Sequence, residues 1–73
     1  MKPLYIATCE DELTAGRDLQ QWASNIKEQY GINDYTVDEI IDEMQEAWEN
    51  GNGYGVVMAE GDVPVRLYKL SEI

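Results

Sequence analysis

The chain contains no His and no Phe, a single Cys, two Pro and only five Lys and Arg. Without His it lacks the commonest general base and metal ligand. One cysteine, Cys9, allows no intrachain disulfide and no Cys-rich zinc spacing, and a lone thiol suits a reducing compartment. The shortage of positive charge excludes a nucleic-acid binder in its own right, because neutralising phosphates requires clustered Lys and Arg. No apolar run of about 18 residues is present to span a membrane. Met1-Lys2-Pro3-Leu4-Tyr5-Ile6-Ala7 lacks a signal peptide's long apolar stretch, since Glu10, Asp11 and Glu12 soon intervene. An anionic surface is also repelled by acidic lipid headgroups. The expected setting is the cytoplasm, with no cofactor, no metal and no membrane partner.

What is present is acid and aromatic side chain. Fifteen Asp and Glu give a net charge of −10 over 73 residues, while 44% of the chain is hydrophobic, including two Trp and five Tyr. That apolar content exceeds what a disordered acidic tail carries, so a single folded domain spanning residues 1–73 is expected.

Leu4 to Thr8 reads as a short strand. Ala15, Leu19, Trp22, Ala23, Ile26 and Tyr30 then share roughly a 100° arc, one stripe of an amphipathic helix. Thr8, Asp11 and Thr14 are all candidate caps for its start, and Gly31 suits a left-handed C-terminal cap. Ile32-Asn33-Asp34-Tyr35 connects to a second helix, which Thr36 and Glu39 open as a capping box. Val37, Ile40, Ile41, Met44, Ala47 and Trp48 form its apolar stripe, and Asn50-Gly51-Asn52-Gly53 ends it. Tyr54–Glu60 and Val63–Leu70 read as a hairpin closed by a two-residue turn, Gly61-Asp62. Pro64 cannot donate to a ladder, so its strand is expected at an edge or with its amide facing outward. The order is β-α-α-β-β, an α+β fold with a small antiparallel sheet and two helices packed on one face.

The second helix carries the most informative pattern. Asp38, Glu39, Asp42, Glu43, Glu46 and Glu49 are six carboxylates in twelve residues, with no Lys or Arg among them. All six fall within roughly 140° of one another, opposite the apolar arc. Asp38/Asp42, Glu39/Glu43 and Asp42/Glu46 are like-charge pairs, each costing about 0.2–0.5 kcal/mol. Asp38 and Glu39 gain from the helix N-terminus, whereas Glu46 and Glu49 lie toward its negative end. Stability alone does not select this arrangement, and neither does solubility, which mixed signs serve as well. Carboxylates four apart lie roughly 6 Å from one another, comparable with phosphate spacing. The row, about 16 Å long, can imitate nucleic-acid backbone for a basic groove. Glu10, Asp11, Glu12 and Asp18 are expected to extend it from the first helix. The competing reading, a merely solvated face, is what most charge runs turn out to be.

Other motifs carry less. Six acids along an exposed face do not converge on a cation and lack EF-hand spacing. Gly51-Asn52-Gly53-Tyr54-Gly55 runs from helix into strand, the reverse of a phosphate loop, and reads as a turn. Cys9 precedes three acids that raise its pKa, which argues against a nucleophile. Trp22 and Trp48 are expected core anchors. The five Tyr exceed what the core can hold, leaving one or two exposed beside the acids.

Tyr5-Ile6-Ala7, Gly16 and Trp22, together with the acidic helix Asp38–Glu49, Tyr54-Gly55-Val56-Val57 and Tyr68-Lys69-Leu70, resemble the ArdA antirestriction proteins. Those are acidic DNA mimics of plasmids, transposons and phages, with a Tyr-Val-Ala-like strand near their start and much longer chains. The likeness covers about a third of the positions, with different spacing. It implies inhibition of a host DNA-binding defence enzyme, a niche that small anti-CRISPR proteins share. The resulting expectation is a non-enzymatic inhibitor whose partner is a basic nucleic-acid-binding host protein. A small adaptor recognising its partner through Tyr and Trp is the rival. A homodimer through exposed apolar surface would double the anionic surface to DNA-like length.

Overall fold

The computed structural model describes residues 3–70; Met1 and Lys2, where the reading of a leader begins, lie outside the described residues. Six elements follow one another: β1 (Leu4–Cys9), β2 (Glu12–Gly16), α1 (Leu19–Tyr30), α2 (Val37–Glu49), β3 (Gly55–Ala59) and β4 (Val63–Leu70). The strands form one antiparallel sheet in the order β2-β1-β4-β3. The expected α+β class therefore holds, with one strand more than the sequence reading supplied.

That strand is β2. Its burial alternates weakly and Leu13 is 63% exposed, so it has little of the buried alternation that marks a strand. The β1–β2 turn, Glu10-Asp11, contains no glycine, although Glu10 adopts a left-handed φ of 55°. Ala15 therefore belongs to β2, not to the stripe of α1. None of Thr8, Asp11 or Thr14 caps that helix: Asp18 does, its Oδ1 accepting the Gln21 amide at 3.0 Å.

The other corrections are small. The β3–β4 connection has three residues, Glu60-Gly61-Asp62, with Gly61 and Asp62 both left-handed. β4 is an interior strand, and it tolerates Pro64 because the ladder to β1 ends at Arg66, leaving only β3 beside the proline. Gly31 closes α1 at φ 68°, as expected.

Alternation gives the sheet two unlike faces. Tyr5, Ala7, Val57, Ala59, Val65 and Leu67 point toward the helices and are buried with Trp22, Ala23, Ile26, Ile32, Ile40 and Met44. α1 lies over the β1/β2 half and α2 over the β3/β4 half. Tyr5 stacks on Trp22 with centroids 5.6 Å apart, and the Trp22 indole N–H donates to the Thr14 carbonyl at 3.3 Å. Trp48 departs from the expected core role: it is 42% exposed in the last turn of α2. No helix among the described residues is long and apolar enough to cross a membrane.

Candidate functional site

α2 begins where its sequence says it should. The Thr36 side chain accepts the Glu39 amide at 3.1 Å, and Glu39 Oε1 accepts the Thr36 amide at 2.9 Å. Ile40, Ile41, Met44 and Ala47 are buried against the sheet. That packing fixes the rotation of the helix, so Asp38, Glu39, Asp42, Glu43, Glu46 and Glu49 all face outward and are exposed. Glu39 has a structural task as well, because one carboxylate oxygen closes the cap. The last turn carries no basic residue to offset Glu46 and Glu49 against the helix dipole.

Three cations have partners other than the acids of this row. Lys27 Nζ donates to the Ile32 and Tyr35 carbonyls at 2.8 and 2.7 Å, fastening the linker between the helices. The Arg66 guanidinium lies 5.3 Å from the Tyr54 ring centroid. Lys69 reaches α2 from β4, but it settles 5.2 Å from the Trp48 ring centroid and 3.5 Å from Gln45 Oε1, on the flank of the acidic face.

Glu10, Asp11 and Glu12 were expected to extend the acidic surface from the first helix, but they do not lie on that helix. They form the β1–β2 turn and the start of β2. Pairing of β1 with β4 brings this turn to the same end of the sheet as Glu60 and Asp62. One concavity there is lined by Cys9, Glu10, Asp11, Glu12, Tyr30 and Glu60. Glu12 is held by the Gln29 side-chain amide at 3.4 Å, and Asp18 is spent as a helix cap. Glu60 and Asp62 were missed because only the sheet order joins the two turns.

The row and the acidic end are two parts of one surface. The Glu60 amide donates to the Gly31 carbonyl at 3.0 Å, so the C-terminus of α1 meets the β3–β4 turn. Lys27 holds the short linker to that last turn of α1, so α2 starts at the acidic end and runs toward the start of β3. No group of three or more acids, thiols or imidazoles among the described residues converges as a metal site.

Partial burial pushes the Cys9 thiol above its usual pKa, and the Glu10 and Glu12 carboxylates push it further. Tyr54, 42% exposed, borders a shallow recess with Glu43, Glu46, Asn50 and Asn52, and its ring meets that of Tyr68 at 5.7 Å. An exposed tyrosine beside the acids was expected; its pairing with Tyr68 and Arg66 was not. No protein-family model matches the chain, and no match was found among curated proteins or solved structures, so the ArdA likeness stands on the residues quoted for it.

Proposed function

We propose that the protein is a non-enzymatic inhibitor that fills the nucleic-acid groove of a basic host protein, a restriction or CRISPR-type defence factor, in the host cytoplasm. The observation that carries this reading is the outward face of α2. Six exposed carboxylates share one side of a capped helix, while Lys27, Arg66 and Lys69 are directed to carbonyls, an amide and rings. Asp38, Asp42, Glu46 and Glu49 form the mimic row, with Glu39 and Glu43 on its flank. Glu10, Asp11 and Glu12 add charge at the end where the row starts. Rigid, preorganised charge steers a basic partner and competes with the polyanion that the partner normally holds.

The test is capture from a bacterial host lysate at low and moderate salt, using wild type and the double variant Asp42→Lys/Glu46→Lys. Captured protein is then assayed for displacement of labelled nucleic acid. Wild type should capture a nucleic-acid-binding protein and displace its ligand, and the variant should do neither while keeping its circular dichroism. Equal capture by the variant rejects the row.

A second reading is favoured by the exposure of Trp48 and Tyr54. In it the protein is an adaptor that recognises its partner through aromatic surface. Its binding would scarcely respond to salt, whereas mimic binding weakens steeply.

A further inference from the structure

The four strands turn no acid onto the face of the sheet away from the helices; acids meet it only at its margins, Glu10 and Asp62 beside Thr8, Pro64 and Arg66, and Glu43 and Glu46 beside Val56. Leu4, Ile6 and Thr8 of β1, Leu13 and Ala15 of β2, Val56 and Met58 of β3, and Pro64, Arg66, Tyr68 and Leu70 of β4 alternate onto it. Leu13, Val56 and Leu70 are 63%, 38% and 50% exposed, and no helix covers them. The only charge on the face, Arg66, is laid over the Tyr54 ring.

We propose that a second copy of this chain covers the face, so that two sheets stack into a sandwich with both helical layers outermost. Three observations select this occupant. In a chain of net charge −10, two copies meet with least repulsion through a surface whose strands present no carboxylate, and the strands of this face present none. Four strands spaced about 4.8 Å, each some six residues at about 3.3 Å, give a footprint on the order of 400 Å² per copy. That area is the size of a functional apolar patch and falls in the range of a weak dimer rather than an obligate one. The sheet also differs end to end: Glu10, Asp11, Glu12, Glu60 and Asp62 gather at the turn end, while the other end has Arg17 beside Asp18, and Lys69 turned toward α2. Stacking with the strands reversed sets each acidic end over the partner's less acidic one, whereas the opposite stacking would press acid on acid.

The consequence for the acidic rows differs from a doubled length. α2 lies on the outer side of each sheet, so the two rows point away from one another, and the dimer is a bivalent particle able to engage two grooves. Repulsion between the copies is screened by salt while burial of apolar surface is not, so dimerisation should strengthen as salt rises. This dependence has the opposite sign to that of a mimic leaving its basic groove.

Sedimentation equilibrium of the full chain tests the proposal, run in about 0.05 and 0.5 M NaCl to span Debye lengths of roughly 14 to 4 Å. We expect a reversible monomer–dimer equilibrium whose dissociation constant falls about tenfold between the two salts. Leu13→Glu and Val56→Glu alter exposed side chains on this face, and each should return the protein to monomer with its melting temperature little changed. Asp38→Lys/Asp42→Lys, on acids of the row that do not share the Val56 recess, should leave the dimer intact, which separates failure of this interface from failure of the mimic row. A monomer in both salts at the highest soluble concentration, or a dimer indifferent to Leu13→Glu and Val56→Glu, overturns the proposal.

Discussion

α1 and α2 cover equivalent halves of the same sheet. α1 buries Trp22, Ala23 and Ile26 over β1 and β2, and α2 buries Ile40, Ile41, Met44 and Ala47 over β3 and β4. Each has a side-chain N-cap, and each lies over a helix-facing glycine of an edge strand, Gly16 or Gly55. Their outer faces differ sharply. α1 exposes Gln20, Gln21, Ser24, Asn25, Glu28 and Gln29, so one acid among amides and a hydroxyl. α2 exposes six acids. A neutral polar surface evidently satisfies the demands of covering half of this sheet, so the charge of α2 is not something the fold requires. The molecule supplies its own control for the claim that this charge has another purpose.

The comparison can be broken most severely at the core. Trp22→Ala should cost about 3–5 kcal/mol, enough to unfold much of the population, in a denaturant titration. The glycines should then separate the halves. A Cβ on Gly55 would sit 2.6 Å from the Glu43 backbone oxygen, whereas one on Gly16 would meet Trp22 Cβ at 3.4 Å, an ordinary contact. Gly55→Ala should therefore cost about 1–3 kcal/mol by lifting α2, and Gly16→Ala well under that. Among the caps, Thr36→Ala should cost about 1 kcal/mol, and somewhat more than Asp18→Ala, because it also frees the reciprocal Glu39 bond. The smallest effects concern charge. Asp42→Asn and Glu46→Gln should each raise stability by a few tenths of a kcal/mol through relief of i,i+4 repulsion, while Glu28→Gln on α1 should change nothing measurable. If the acidic substitutions destabilise α2, the carboxylates belong to the fold and the contrast fails. Separately, Cys9 should react with iodoacetamide more slowly at neutral pH than a free cysteine, because burial and its acidic neighbours keep the thiol protonated.

The α2 half was almost fully legible in the sequence. The capping box, the apolar stripe and the Asn-Gly run are local signals, and each occurs where it was read, save that Trp48 of the stripe is exposed. The α1 half was less so. β2 is an exposed edge strand stabilised by β1 and by contacts such as the 2.7 Å bond between the Thr14 and Tyr30 hydroxyls, which no local pattern announces. Ala15 matched the helical spacing by coincidence and drew the helix start forward. Trp48 shows a different limit. Its spacing was helical and apolar, but it falls in the last turn of α2, and Lys69 covers its ring; Ile41, further round the same stripe but mid-helix, is buried. In the candidate site, the row on α2 followed from periodicity alone. The gathering of Glu10, Asp11 and Glu12 with Glu60 and Asp62, and the sheet face onto which the strands turn no acid, both depend on strand order, which the sequence did not disclose.

The central claim, that the charge of α2 serves recognition, is tested most directly by the salt dependence of partner capture. Binding should be measured from low to moderate ionic strength for wild type, for Asp42→Lys/Glu46→Lys, and for a chain with the same change of net charge made on exposed positions of α1, Gln20→Lys/Gln21→Lys/Ser24→Lys/Asn25→Lys. The account predicts a steep fall of wild-type binding with salt, loss of binding in the α2 variant, and only a modest reduction in the α1 variant. Equal weakening by both variants would mean that only net charge matters, and a salt-independent affinity would contradict the claim altogether.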